Sequence, residues 1–275
     1  MDLRRALLRA SLLTALGGGT AFAADYGEGN ARPRLVKIAD DGRSAKAVLV
    51  GVEFDIKPGW HIYWRNPGGA GLATDIQWRL PAGLAAGDLQ WPLPIGFLQS
   101  GDIPGYGYEG SVTLASELLS SGGFRGDEKI GASVSWLACK DVCVIGSAEL
   151  EGLLESLPVS PAFEAWREML PLPFEEEDSV FSLRTTGGLA GGSLSLWLQW
   201  RHAPRVVEWY PAPSEGLEVT GVTVQTRGGL TRIESVVRKM QGSSGTTSIL
   251  DSVLVVVDND GVRRGWKIAV DVGRE

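Results

Sequence analysis

From Arg34 onward the chain alternates apolar and polar residues with a period of two, as strands with one buried face do. Between Ala47 and Ile56, Val48, Val50, Val52, Phe54 and Ile56 share one side while Glu53 and Asp55 fall on the other. Pro58-Gly59 marks a turn, and an aromatic strand from Trp60 runs into a segment whose Pro67, Gly68, Gly69 and Gly71 preclude a helix. Ile76 to Leu80 alternates again and stops at Pro81. Gln90-Trp91-Pro92-Leu93-Pro94 holds too much proline for a central strand. Residues 96–110 read as a long glycine-rich loop carrying Phe97, Tyr106 and Tyr108. Strands are expected at 112–119 and 129–139. In the second of these, Ile130, Ala132, Val134, Trp136 and Ala138 form the apolar face. Ser133, Ser135, Leu137 and Cys139 lie opposite them, which predicts an accessible Cys139.

Beyond residue 157 the period changes. Ser160 and Pro161 suit the start of a short helix that Pro171 ends, and the run 175–178 is acidic and reads as a solvated connection. Alternation then resumes in three sets: Leu194, Leu196, Leu198 and Trp200; Ile249, Asp251, Val253, Val255 and Val257; Trp266, Ile268, Val270 and Val272. Short strands separated by glycine turns predict an all-β protein of two β-sandwich domains, 25–157 and 179–275, joined by a linker at 158–178 with one helix. The start of the chain departs from this pattern. Arg4, Arg5 and Arg9 precede a short apolar run, and Ala21-Phe22-Ala23 fits a cleavage site, so residues 1–23 read as an export signal of the general secretory or twin-arginine type.

Charge and composition narrow the function. The net charge of −7 becomes −9 once Asp2 and three arginines leave with the signal, which argues against a nucleic-acid partner. No later run approaches the ~20 apolar residues of a membrane span, so the exported chain is expected to be soluble in an oxidising compartment. Its two cysteines, Cys139 and Cys143, stand at the end of the 129–139 strand. On a straight strand, Cα atoms four residues apart lie ~13 Å from one another. A disulfide needs them within roughly 4.4–6.8 Å. A bond between them therefore requires the chain to reverse at Lys140-Asp141-Val142. Closing so small a loop removes only ~2 kcal/mol from the unfolded state. Such a bond suits redox exchange better than stapling, though a local staple stays open. A Cu(I) site made by the same two thiolates is the sharper alternative, because thiolates are soft ligands. His61 is a candidate proton acceptor near the thiols, or simply a packed ring; His202 offers no case. No cofactor is called for.

Four stretches together carry a family resemblance: Pro58 to Gly68, Leu89-Gln90-Trp91-Pro92, Tyr106-Gly107-Tyr108-Glu109-Gly110, and Trp136 to Cys143. In this order they resemble the N-terminal periplasmic domain of the DsbD thiol:disulfide interchange family, especially its ScsB-like branch, over roughly residues 30–155. The resemblance implies an immunoglobulin-like fold and a periplasmic relay. In that relay a membrane-linked thioredoxin-like module supplies electrons and client proteins with disulfides receive them. Cys139 and Cys143 would be the redox pair, with Cys143 forming the mixed disulfide. The family shields its cysteines with an aromatic cap, a part that falls here to Phe97, Tyr106 or Tyr108. The family's membrane and thioredoxin-like domains find no counterpart in these 275 residues, so the electron donor is expected to be a separate protein.

Overall fold

The computed structural model describes residues 29–38, 46–160, 163–177, 179–214, 216–240 and 248–273, so the expected export signal lies outside the described residues. Ten strands come first: β1 (Ala31–Lys37), β2 (Ala47–Ile56), β3 (His61–Gly68), β4 (Asp75–Arg79), β5 (Leu84–Ala86), β6 (Ile95–Gln99), β7 (Ile103–Glu109), β8 (Ser111–Ser120), β9 (Lys129–Cys139) and β10 (Cys143–Leu153). They make two sheets, one in the order β1-β2-β8-β5 and one in the order β10-β9-β3-β7-β6, with β4 also paired to β9. Val50, Val52, Phe54 and Ile56 from the first sheet meet Ile62, Ile130, Val134, Trp136 and Ala138 from the second in one core. This is the β-sandwich that the alternation predicts, with the immunoglobulin-like character that the family resemblance implies.

Glu53 and Asp55 were expected to face water, yet Glu53 is only 9% exposed. The cover comes from the linker. Helix α1 (Phe163–Glu168) places Trp166 on the outer face of the first sheet, beside Ile38 and Ala115. The Trp166 indole donates to the Thr113 carbonyl at 3.1 Å. Glu53 beneath this edge is compensated by Arg34 and by the Ser160 hydroxyl, which donates to it at 2.6 Å. The segment between the sandwiches is therefore docked through Trp166, while its acidic run at 175–177 is exposed.

The second sandwich comprises β11 (Leu172–Pro173), β12 (Phe181–Gly188), β13 (Ser193–Trp200), β14 (Val206–Pro211), β15 (Leu217–Arg227), β16 (Leu230–Lys239), β17 (Ile249–Val257) and β18 (Arg263–Asp271). Its sheets run β11-β18-β17-β14 and β12-β13-β16-β15. From Ser252 to Val256, strand β17 is buried on both faces. Leu250, Leu254 and Val256 enter the second core, whereas Val253 and Val255 join Tyr210 and Ala212 against the first sandwich. Simple alternation picks out the set with Val253, Val255 and Val257 as the apolar face, expected in the core of its own sandwich. The structure instead uses that face as the contact between the two halves, so the inner surface of β3, β6 and β7 is backed partly by the second sandwich.

Candidate functional site

Strands β9 and β10 form a hairpin in register from Lys129↔Leu153 to Cys139↔Cys143, and the connection is only Lys140-Asp141-Val142. The reversal that a disulfide demands is thus supplied by the hairpin itself. Cys139 and Cys143 are bonded to each other across the pair, with Cα atoms 4.1 Å apart. Within the turn the Lys140 amide donates to the Val142 carbonyl at 3.1 Å. The Lys140 side chain lies alongside Gly59, whose φ of +77° makes the tight turn before β3.

The two sulfurs sit in different surroundings. Cys139 is 2% exposed, contrary to the expectation of accessibility, while Cys143 is exposed. The expected face is right; what buries Cys139 is its lateral position. It lies on an interior strand, flanked by Cys143 on one side and His61 of β3 on the other. Cys143 lies on β10, the edge of its sheet. Val142 (63% exposed) and Ile145 (72% exposed) add an apolar rim beside it.

A row of aromatic residues adjoins Cys139 on the same outer face. His61 and Cys139 are directly opposed, a position in which Cβ atoms stand ~4.5–5.5 Å apart. The His61 ring is buried beneath Phe97, with centroids 3.8 Å apart, and meets Tyr63 edge-on at 5.3 Å. Burial lowers the His61 pKa from its usual 6.5, favouring the neutral ring, and its Nε2 has no hydrogen-bond partner among the described residues. Burial likewise pushes the Tyr63 hydroxyl upward. That hydroxyl donates to Gln99 Oε1 at 2.6 Å, and Gln99 Nε2 donates to the Ala70 carbonyl at 3.1 Å, tying β3, β6 and the intervening loop together.

Residues 96–110 are not an irregular loop. Most of the segment is the β6–β7 hairpin, turning at Ser100-Gly101-Asp102. Its glycines read as loop signals but mark close approaches. A Cβ on Gly105 would come within 2.3 Å of the Phe97 ring, and one on Gly107 within 2.0 Å of the Ile62 carbonyl oxygen. Missing side chains thus leave the groove across which Phe97 reaches His61.

The three aromatic residues expected to shield the cysteines separate here. Phe97 lies in the row with His61. Tyr106 and Tyr108 project from the opposite face of β7: Tyr108 is buried in the core and donates to the Pro92 carbonyl at 2.8 Å, and Tyr106 packs on Tyr210. Their β-strand register, invisible while the segment reads as a loop, decides this. Tyr63 and Gln99 were not singled out from the sequence. Tyr63 had a signal available, since it follows His61 at i+2 and so shares its face. For Cu(I), both sulfurs are committed to each other in this state. Among the described residues no group of three or more His, Cys, Asp and Glu side chains is arranged to hold a metal ion.

Residues 36–155 match the family model described as the N-terminal domain of the thiol:disulfide interchange protein DsbD. The crystal structure of the N-terminal periplasmic domain of ScsB from Proteus mirabilis superposes with a TM-score of 0.67 at 22% identity, covering 92% of this chain and 97% of that one. At this identity the likeness speaks for the fold, and its coverage takes in both sandwiches. No curated protein matches the chain. The hairpin bearing Cys139 and Cys143 lies inside the matched region, and residues 36–155 are therefore a domain of the family found at the N-terminus of the thiol:disulfide interchange protein DsbD.

Proposed function

We propose that this protein is a periplasmic thiol–disulfide interchange component that cycles Cys139 and Cys143 between disulfide and dithiol. The observation that carries it is the asymmetry of the bond within a DsbD-type domain: one sulfur exposed on an edge strand, the other buried beside a neutral histidine.

Loading begins when a thiolate of a reduced, membrane-linked donor attacks the exposed Cys143 Sγ. A donor–Cys143 disulfide forms, the Cys143–Cys139 bond breaks, and Cys139 leaves with the electron pair. The donor's second thiolate then attacks its own sulfur in the mixed disulfide and releases Cys143. Two electrons have moved, the donor is a disulfide, and this pair takes up two protons to become a dithiol. Delivery is the reverse: Cys143 thiolate attacks a client disulfide, and Cys139 resolves the mixed disulfide. Cys139 must lose its proton for that step, and His61, neutral and with an uncommitted nitrogen, is the acceptor assigned here. Val142 and Ile145 give a partner an apolar place to rest beside Cys143. Phe97 is the shield, acting on Cys139 through His61. Among the described residues no helix is long and apolar enough to cross a membrane.

The test is to trap the intermediate. Cys139→Ser leaves Cys143 able to form a mixed disulfide that cannot be resolved. Expression in the exporting cell should yield a reductant-sensitive adduct of Cys139→Ser that the Cys143→Ser variant does not form. Equal yields from the two variants, or no adduct from either, would overturn the assignment.

A further inference from the structure

The second sandwich contains no cysteine, and the reaction above does not use it. It nevertheless grips the segment that carries Phe97. Arg263 of β18 donates to the Leu93 carbonyl at 3.4 Å and to the Pro94 carbonyl, immediately before β6, while an ion pair with Glu208 at 2.9 Å holds its guanidinium in place. Leu93 seats in the notch left by Gly265, where a Cβ would come within 2.4 Å of it. Tyr210 of β14 lies under the hairpin. Its ring meets Tyr106 edge-on at 5.1 Å, and its hydroxyl lies 3.4 Å from where a Cβ of Gly96 would stand.

Alternation along β6 converts this grip into a placement. Gly96 faces down onto Tyr210, and the next residue, Phe97, faces up onto His61. Beyond Tyr210 the support from the second sandwich gives way to open space, and the outer part of the hairpin is tied to its own sheet by the Gly68–Gly105 pairing, the Gly69 amide on the Pro104 carbonyl at 2.8 Å and the Tyr63–Gln99 hydrogen bond. A cleft of about 960 Å³ opens between the outer part of the hairpin, at Leu98, Asp102 and Pro104, and strands β14 and β15. Leu98 above this space is 70% exposed. On the side of the second sandwich the hairpin is thus held at its base and faces open space farther out, so its inclination depends on the grip at Tyr210 and Arg263.

We propose that the second sandwich is a positioning module for the disulfide: Tyr210 and Arg263 hold the β6–β7 hairpin at the inclination that lays Phe97 over His61, and so set how readily the Cys139–Cys143 bond is reached. The proposal rests on the redox reading of the pair given above. Tyr210 and Arg263 are positioning residues, acting only through the hairpin. Loss of the Tyr210 ring lets the hairpin settle toward the cleft and uncovers the row that ends at Cys139.

The experiment is the rate at which dithiothreitol reduces the bond in the whole chain, under native conditions, with free thiols counted by maleimide labelling. Four variants are compared with wild type: Phe97→Ala, Tyr210→Ala, Tyr210→Phe and Arg263→Met. Phe97→Ala, Tyr210→Ala and Arg263→Met should accelerate reduction by roughly two- to tenfold, the range over which one aromatic pair shifts an opening equilibrium. Tyr210→Phe keeps the ring and should react at the wild-type rate, a rescue that general destabilisation does not give. Acceleration by Phe97→Ala, with Tyr210→Ala and Arg263→Met at the wild-type rate, would overturn the positioning role and leave the shield standing. Equal acceleration by Tyr210→Phe and Tyr210→Ala would overturn the role of the ring. A bond that resists reduction in every variant would instead overturn the redox reading itself. Should Tyr210→Ala fail to fold, Arg263→Met carries the same comparison.

Discussion

Reducing the Cys139–Cys143 bond should leave the protein folded and only modestly less stable. The perturbation is a single cleavage, and its magnitude follows from the size of the ring it opens. Cys139 and Cys143 close a loop of five residues, for which chain entropy gives about 2 kcal/mol at 25 °C, against about 4.7 kcal/mol for a bond closing a loop of about a hundred residues. The folded state does not depend on the bond for its geometry, because the β9–β10 ladder continues in register from the cysteines to Lys129 and Leu153. For a chain of this size, about 2 kcal/mol corresponds to a fall in melting temperature of about 4–8 °C. The assay is thermal and urea unfolding of the oxidised and reduced protein, followed by tryptophan fluorescence, with Cys143→Ser as the permanently open control. A loss above about 5 kcal/mol, or the disappearance of a cooperative transition, would make the bond a structural staple instead.

Two further outcomes are expected. Trp166→Ala should cost about 3–5 kcal/mol in urea unfolding, because it empties the cover of the first sheet and leaves the Thr113 carbonyl unpaired; a cost under about 1 kcal/mol would mean that α1 is not integral to the fold. The pH dependence of stability should carry the His61 signature. Burial lowers its folded pKa, so the unfolded chain binds the proton more readily; stability is complete above about 6.5 and is lost as pH falls toward the lowered folded value. In His61→Phe the change in urea midpoint across that window should vanish, and its persistence would place the titrating group elsewhere. Glu128, held below its usual pKa chiefly by the Arg125 amide, acts only in a separate window below 4.5.

The strand pattern, the two sandwiches and the turn at Lys140–Val142 are legible in the sequence because each depends on local periodicity or on the reach of the chain. What escapes it depends on lateral neighbours. Cys139 lies on the expected face but is enclosed by residues far away in the chain, His61 above all. Gly105 and Gly107 look like loop residues until Phe97 and the Ile62 carbonyl are found in the space their side chains would fill. Val253 and Val255 look like core positions of their own sandwich until the first sandwich is found to cover them, with Leu250, Leu254 and Val256 filling the second core instead. Phe97 was legible as a shield candidate, but its separation from Tyr106 and Tyr108 required the register of β6 and β7. The redox assignment came from the linked motifs around the cysteines; the unequal exposure of the two sulfurs came from the fold.

A working redox pair at Cys139 and Cys143 exchanges electrons with other thiols at physiological potentials. Equilibrating the protein with glutathione at graded ratios of reduced to oxidised form, and quenching with a thiol-specific label, measures this directly. Such a pair gives one two-electron transition from disulfide to dithiol within the accessible ratios, abolished in Cys143→Ser. A bond that stays closed at every ratio would contradict it.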